Sequence, residues 1–97
     1  MNSKDVAVIC KALGDSNRLQ IVKILSDCDE KPACDLLEHF QITQPTLSHH
    51  MRVLGECALV DIRKEGKWHY YSVNRERLKE FIKYIRALCH GKCQEDI

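Results

Sequence analysis

Residues 41–54, QITQPTLSHHMRVL, carry the pattern that decides the fold. Thr43 is a residue type that caps helix N-termini, and Pro45 suits a first helical turn, so a helix is predicted to begin here. Three apolar residues then recur at the spacing of a buried stripe: Leu47, Met51 and Leu54. A connector of about four residues joins this helix to a preceding one, and two helices joined in this way are typical of a helix-turn-helix.

The outward side of this helix is polar and short-chained. At 100° per residue, its members lie opposite the apolar stripe or in the exposed first turn: Gln44, Pro45, Thr46, Ser48, His49 and Arg52. A helix inserted into the major groove of DNA needs small donors and acceptors near its N-terminus and cations for the flanking phosphates. An ordinary surface helix also turns polar residues outward, so this helix alone leaves both interpretations open. His50 falls nearer the stripe and is predicted to pack inside.

Three helices are predicted before this one. The first spans residues 3–13, with Gly14 as its C-terminal cap. The second begins after Asp15 or Ser16, and its apolar arc is so wide that it should be the central buried helix. The third has Pro32 in its first turn and faces three residues inward: Leu36, Leu37 and Phe40.

A hairpin and a last helix follow. The runs LVDIR (residues 59–63) and WHYYSV (residues 68–73) are β-rich and flank KEGK, a turn that contains glycine. Three cations stand around this turn: Arg63, Lys64 and Lys67. They can reach the phosphate backbone or the minor groove, although lysines are also common at solvated hairpin turns. The aromatic residues Trp68, Tyr70 and Tyr71 are predicted to pack the hairpin and core. From Glu76 to about Gly91 apolar residues keep helical spacing.

This order of elements predicts a mainly α fold with a small β-hairpin. Three helices, a recognition helix, a cationic hairpin and a final amphipathic helix form a winged helix-turn-helix, here expected as one domain over residues 1–97 with a dimerisation helix at each end. A chain of 97 residues buries only part of its apolar surface by itself, which favours dimerisation.

The composition narrows the function classes. The net charge is only +1, so affinity for a polyanion must come from local clusters of cations. No run of about 20 apolar residues is present and the N-terminus lacks signal-peptide architecture, so a cytoplasmic protein without membrane contact is expected. In a reducing compartment the six cysteines are either small core residues or ligands for a soft metal or metalloid. Cys10 and Cys57 are predicted to be core residues.

Three stretches, KALGDSNRLQIVKIL, ITQPTLSHHMRVL and IRKEGKWHYYSV, resemble in this order the ArsR/SmtB family of bacterial metal- and metalloid-responsive repressors. The resemblance covers roughly residues 8–75. It implies a homodimer, paired through residues 3–13 and 76–90, that binds double-stranded operator DNA and dissociates when an inducer binds. By the same resemblance the DNA contacts come from the recognition helix and the wing: Gln44, Thr46, Ser48, His49, Arg52, Arg63, Lys64 and Lys67.

The resemblance also directs attention to the thiols. Arsenic-sensing members begin the third helix with a CxC pattern, and this chain has Pro32 at the first position and Cys34 at the second. One thiolate cannot hold arsenite, so further ligands must come from elsewhere. Cys28 is the nearest candidate, and Cys89 with Cys93 forms an alternative pair. Soft thiolates select arsenite or antimonite as inducer, with cadmium and zinc as further possibilities.

Three other functions compete with this one, and one of them is a protein-binding winged helix without DNA affinity. The thiols can serve a redox or sulfide switch on the same DNA-binding fold, with a pair of cysteines oxidising to a disulfide. A cysteine enzyme is disfavoured, because no glycine-rich loop or nucleophile elbow frames the cysteines and histidines. The chain is therefore expected to be a repressor without catalytic activity.

Overall fold

The structure, a computed structural model, describes residues 1–90. These residues form five helices and three strands: α1 (Ser3–Leu13), α2 (Ser16–Ser26), β1 (Lys31–Pro32), α3 (Ala33–Leu37), α4 (Gln44–Glu56), β2 (Val60–Glu65), β3 (Trp68–Val73) and α5 (Arg75–Cys89). The strands make an antiparallel sheet in the order β1-β3-β2. The predicted class, mainly helical with a small β-hairpin, is confirmed, and β1 is an additional strand.

Local sequence signals account for the helix starts. The Asp15 carboxylate accepts hydrogen bonds from the backbone N–H groups of Asn17 and Arg18, at 2.8 and 3.1 Å. Thr43 Oγ1 accepts from the N–H of Thr46 at 3.3 Å. Each cap satisfies N–H groups that have no partner inside the helix. The predicted starts of α2 and α4 are confirmed.

The third helix is shorter than predicted. Pro32 does not lie in its first turn but has extended backbone, with φ −69° and ψ 152°, and stands opposite Tyr70 in the β1–β3 ladder. Proline tolerates an edge strand because its missing N–H is not needed on the outer side. Leu36 is fully buried as expected, whereas Leu37 and Phe40 are only partly buried.

One hydrophobic cluster joins the helices and the sheet. Its fully buried side chains are Ile9, Ile21, Leu25, Leu36, Leu47, Met51, Leu54 and Leu59. The second helix contributes centrally, but Leu19 is 54% exposed, so the wide apolar arc read from the sequence is not buried all round. Two further predictions were wrong. Cys10 is exposed rather than packed, and Trp68 is 51% exposed at the start of β3.

The last helix packs Leu78 and Phe81 against the core, but the rest of residues 1–90 leaves the remainder of its apolar side uncovered. No residue of α5 is buried, and Ile82, Ile85 and Leu88 are 45, 37 and 67% exposed. An amphipathic helix normally buries such a face against another element. Within residues 1–90 no helix has the length and apolar character needed to cross a bilayer.

Candidate nucleic-acid interface

The helix α4 presents one buried and one open side. Its inner residues Leu47, Met51 and Leu54 are at most 1% exposed, so packing against the core fixes the rotation of the helix about its axis. The five residues predicted to contact DNA from this helix are all exposed: Gln44, Thr46, Ser48, His49 and Arg52. The Thr46 hydroxyl lies 3.0 Å from the Thr43 hydroxyl and takes part in the N-terminal cap. The other four side chains have no hydrogen bond to residues 1–90.

A buried histidine attaches α4 to the helices behind it. His50 is 7% exposed, which confirms that it packs inside. Arg18 Nε donates to the carbonyl oxygen of Ala12 at 2.6 Å, and Arg18 Nη1 lies 3.2 Å from His50 Nδ1. Burial lowers the pKa of His50 and outweighs the opposing effect of the Asp15 carboxylate, and the nearby charges of Arg18 and His49 lower it further. A neutral imidazole can accept the Arg18 hydrogen bond. The two Arg18 contacts together connect α2 to α1 and to α4.

The hairpin of β2 and β3 forms the wing beside α4. Its register runs from Val60 opposite Val73 to Glu65 opposite Trp68, which leaves a two-residue turn. Gly66 has φ +61°, a left-handed conformation that favours glycine at this turn. Lys64 and Lys67, two of the predicted contacts, are exposed and form no ion pair with residues 1–90. Both are therefore free to meet phosphates.

Arg63, the third predicted contact on the wing, is already engaged. Its guanidinium donates to both carboxylate oxygens of Glu30, at 3.0 and 2.8 Å, and also to Glu65. The guanidinium carbon lies 4.4 Å from the centre of the Tyr70 ring, within cation–π range. Hydrogen bonds to these carboxylates raise the pKa of Arg63, and the Arg63 guanidinium in turn lowers the pKa of Glu30. Half of the Arg63 side chain stays exposed.

The start of α4 and the wing enclose a shallow cleft of about 250 Å³. Gln44 and Ser48 line it from α4, and Lys67 and His69 line it from the wing. Cys34 of α3 lines the same cleft and is exposed. The fold therefore gathers the polar start of the helix, a wing cation and one candidate thiol on one side of the molecule.

The other candidate ligands have different surroundings, and one of them lies beyond the described residues. Cys28 is partly buried, and its thiol lies 3.6 Å from the carbonyl oxygen of Leu25. The Cys34 thiol lies 3.7 Å from Asp35 Oδ1. Cys89 is exposed at the end of α5, whereas Cys93 lies outside the described residues.

Within residues 1–90 of one chain, no group of three or more histidine, cysteine or acidic side chains converges on a point that can hold a metal ion. Neither a three-thiolate pyramid nor a four-ligand tetrahedron is thus assembled by this part of one chain alone. Cys57 is 4% exposed and is confirmed as a small core residue.

Sequence reasoning missed Glu30 and Arg18. Glu30 contacts Arg63, 33 residues away in the sequence, and Arg18 contacts His50, 32 residues away. No local spacing in the sequence predicts either contact. Both are single charged residues among many on amphipathic or polar segments. A charged residue of this kind is indistinguishable from a solvated one until the elements have packed.

An antiparallel hairpin beside a capped, outward-facing helix of a helix-turn-helix defines the class of winged helix-turn-helix proteins. Residues 15–61 match the family described as "Bacterial regulatory protein, arsR family". The chain is 48% identical over 88 residues to the arsenical resistance operon repressor of Staphylococcus aureus, an alignment that covers 91% of this chain and 84% of that one. It is 51% identical over 85 residues to the repressor of the same name from Staphylococcus xylosus, covering 88% and 77%. The chain belongs to the ArsR family.

Solved structures agree on the fold. One is a possible transcriptional regulator for arsenical resistance, with a TM-score of 0.73, 27% identity and 80% of each chain covered. Another is the homodimeric winged helix-turn-helix DNA-binding domain of a possible ArsR-family regulator from Mycobacterium bovis, with a TM-score of 0.70 and 24% identity over 92% of this chain and 82% of that one. The protein is an ArsR-family transcriptional repressor with a DNA-binding fold, and its relatives are regulators rather than enzymes.

Proposed function

We propose that this protein is a cytoplasmic homodimer that binds operator DNA and releases it when a thiophilic inducer binds, with arsenite or antimonite as the first candidates. The observation that carries the proposal is the identity of about half of the residues, over most of the chain, to two proteins named arsenical resistance operon repressors. The exposed polar side of α4 beside a cationic wing supports the DNA-binding part.

The proposed DNA contacts divide into two kinds. Gln44, Ser48 and His49 lie at or near the start of α4 and are exposed, so they are suited to read base edges in the major groove. Thr46 and Arg52 are exposed on the same helix. Lys64 and Lys67 of the wing are suited to phosphates, which fix the orientation of a protein on the duplex without reading sequence. Arg63 belongs to the same surface, although two carboxylates already hold it.

Dimerisation through the two terminal helices accounts for the uncovered side of α5. Ile82, Ile85 and Leu88 form a patch of exposed apolar side chains, and such patches commonly mark a protein–protein interface. A two-fold dimer places its two recognition helices about one helical turn of DNA apart, which is the spacing of successive major grooves. A homodimeric structural relative supports this arrangement.

The inducer would act by linkage between two binding equilibria. It favours a dimer arrangement in which the DNA-binding elements no longer match the operator, and the coupling free energy is then lost from DNA affinity. The candidate ligands are Cys28, Cys34, Cys89 and Cys93. Thiolates suit arsenite and antimonite, and also cadmium and zinc, because these ions are soft or borderline.

Fluorescence anisotropy of labelled operator DNA tests the proposal. The fully reduced protein is titrated with arsenite, antimonite, cadmium and zinc, in parallel with Cys34→Ser and with Cys89→Ser/Cys93→Ser. We expect arsenite to release the DNA and one of the two variants to abolish that release. Failure to bind any operator fragment contradicts the repressor function. Release by an oxidant or polysulfide, with no response to any ion, replaces the inducer with a thiol redox switch.

A further inference from the structure

A single arginine side chain connects the first helix to the recognition helix. Arg18 Nε donates to the carbonyl oxygen of Ala12 in the last turn of α1, at 2.6 Å, and Arg18 Nη1 lies 3.2 Å from Nδ1 of His50 on α4. We infer that Arg18 is a positioning residue for DNA recognition, which holds α4 in place through His50 so that discrimination between operator and scrambled DNA depends on this hydrogen bond. The inference rests on the proposed function, in which α1 belongs to the dimer interface and α4 reads bases.

Arg18 is fixed at its backbone as well as at its guanidinium. The Asp15 carboxylate accepts from the backbone N–H of Arg18 at 3.1 Å, in the N-terminal cap of α2. Ala12, at the other end of the side chain, is 2% exposed, and carbonyl oxygens in the last turn of a helix have no N–H partner further along that helix. Because an unpaired buried carbonyl destabilises the fold, the bond from Arg18 Nε keeps the guanidinium at the end of α1.

The contact with His50 constrains α4 in a way that apolar packing does not. Leu47, Met51 and Leu54 bury the inner side of α4, but the burial of apolar surface is non-directional. A hydrogen bond weakens steeply when its distance and angle depart from their preferred values. Within residues 1–90, His50 is the only side chain of α4 that hydrogen-bonds to another helix. Its bond to Arg18 therefore limits how far α4 can slide or tilt against α2.

This constraint lies directly behind a candidate base-reading residue. His49 precedes His50 in the chain and is exposed, and the centres of the two rings are 6.0 Å apart. Consecutive helical residues point about 100° apart, so one short segment of backbone carries both the inward contact and the outward one. A hydrogen bond to a base edge tolerates only small displacements, whereas a flexible lysine can follow a phosphate. Loss of the Arg18–His50 hydrogen bond should therefore lower discrimination between sequences more than general affinity for DNA.

The Arg18–His50 hydrogen bond requires a neutral imidazole. A guanidinium has no acceptor, so Nδ1 of His50 must carry the lone pair. Burial lowers the pKa of His50, and the charged groups around the ring are Asp15 at the cap of α2, Arg18 on α2 and His49 on α4. Lys11 of α1 lines the neighbouring groove with Arg18 and His49. Protonation of His50 removes the acceptor, so the hydrogen bond is present above the pKa of His50 and is lost as the pH falls through it.

The test uses variants that separate hydrogen bonding, charge and burial. Arg18→Lys keeps the charge and loses the fork of donors that reaches both partners. His50→Gln keeps an acceptor that does not titrate, whereas His50→Leu keeps an apolar side chain at the buried position without an acceptor. Lys11→Gln is the matched control, because it removes one charge from the groove beside Arg18 and Lys11 forms no ion pair within residues 1–90.

Binding is measured by fluorescence anisotropy on two duplexes. Wild type selects the first from a randomised pool at about pH 7.5, and the second is a scrambled version of the first. The measured quantity is the ratio of the two affinities, followed from about pH 5.5 to about pH 7.5, where histidine titrates. Circular dichroism and urea unfolding show in parallel whether each variant is folded and how stable it is.

We expect Arg18→Lys and His50→Leu to lower the ratio about five- to tenfold, with the affinity for the scrambled duplex and its salt dependence unchanged. His50→Gln should keep most of the ratio at about pH 7.5. On acidification the ratio should fall less in His50→Gln than in wild type, and because His49 is present in both proteins, the difference isolates His50. Lys11→Gln should match the wild-type ratio at each pH.

Equal ratios in wild type, Arg18→Lys and His50→Leu would overturn the inference, and if Arg18→Lys does not fold, His50→Leu decides alone. A ratio that simply follows the free energy of unfolding across the variants would also overturn it, because Arg18 and His50 would then only stabilise the fold. Failure of the proposed function looks different. Wild type would then select no preferred duplex from the pool, and the inference would fall with the function on which it rests.

Discussion

The recognition helix and the wing present their predicted DNA contacts from very different supports. α4 buries Leu47, Met51 and Leu54 almost completely and is tied to Arg18 through His50. β2, by contrast, has only its first residue buried, and its tip depends on ladder hydrogen bonds and on Arg63. Elements with few buried contacts open at lower free energy than elements packed in the core. The helix is thus the rigid half of the proposed DNA-binding surface and the wing is the adjustable half.

The largest effect expected from this contrast is on stability. Leu54→Ala truncates a fully buried side chain on the inner side of α4 and should lower the free energy of unfolding by about 2–5 kcal/mol. Leu19→Ala makes the same change at a 54% exposed position and should cost less than about 1 kcal/mol. Urea unfolding at one protein concentration measures both. Equal losses would contradict the inference that the buried side of α4 contributes more to the free energy of unfolding than an exposed leucine on α2 does.

The second prediction separates the roles of the two elements on DNA. His49→Ala should reduce discrimination between operator and mismatched DNA by about 1–3 kcal/mol per lost base contact. Lys64→Ala should weaken binding to all sequences alike and reduce the salt slope by about 1. Both variants change exposed side chains, so the fold should be unaffected. Uniform weakening by both variants would contradict the division into base-reading and phosphate-binding residues.

The third prediction concerns the buried end of the Arg18–His50 contact. Burial lowers the pKa of His50 below its ordinary value of 6.5, so the unfolded chain binds a proton there more readily than the folded chain. The stability that neutral His50 contributes is therefore complete above pH 6.5 and is lost as the pH falls through the folded pKa. The lowered pKa values of Asp15 and Glu30 act below their ordinary values of 3.8 and 4.5, outside this window.

Urea unfolding between pH 5 and 7.5 tests this prediction by difference. Wild type should lose more stability on acidification than His50→Gln, which has no titrating group at this position. Arg18→Lys keeps the charge beside His50 but cannot make both hydrogen bonds of the guanidinium, so it should lower stability at every pH while keeping the pH dependence. Parallel curves for wild type and His50→Gln would show that His50 does not titrate differently in the folded state.

Much of the fold could be predicted because its signals are local. The caps at Asp15 and Thr43, the stripe of α4 and the glycine of the hairpin turn each lie within one element. The same periodicity placed His50 inside and the candidate DNA residues of α4 outside. The predicted start of α3 was wrong because proline satisfies both a helix start and an edge strand, and only pairing with β3 decides between them.

By itself, then, the sequence determined the order of the elements other than β1, the family resemblance and the outward side of α4, because hydrophobic periodicity and capping act over a few residues. Only the tertiary structure decided that Arg63 is held by Glu30, that Arg18 meets His50, and that Cys34 shares a cleft with Gln44 and Lys67. These contacts join residues about 10 to 33 positions apart. Their partners are set by how helices and sheet pack, which no local spacing contains.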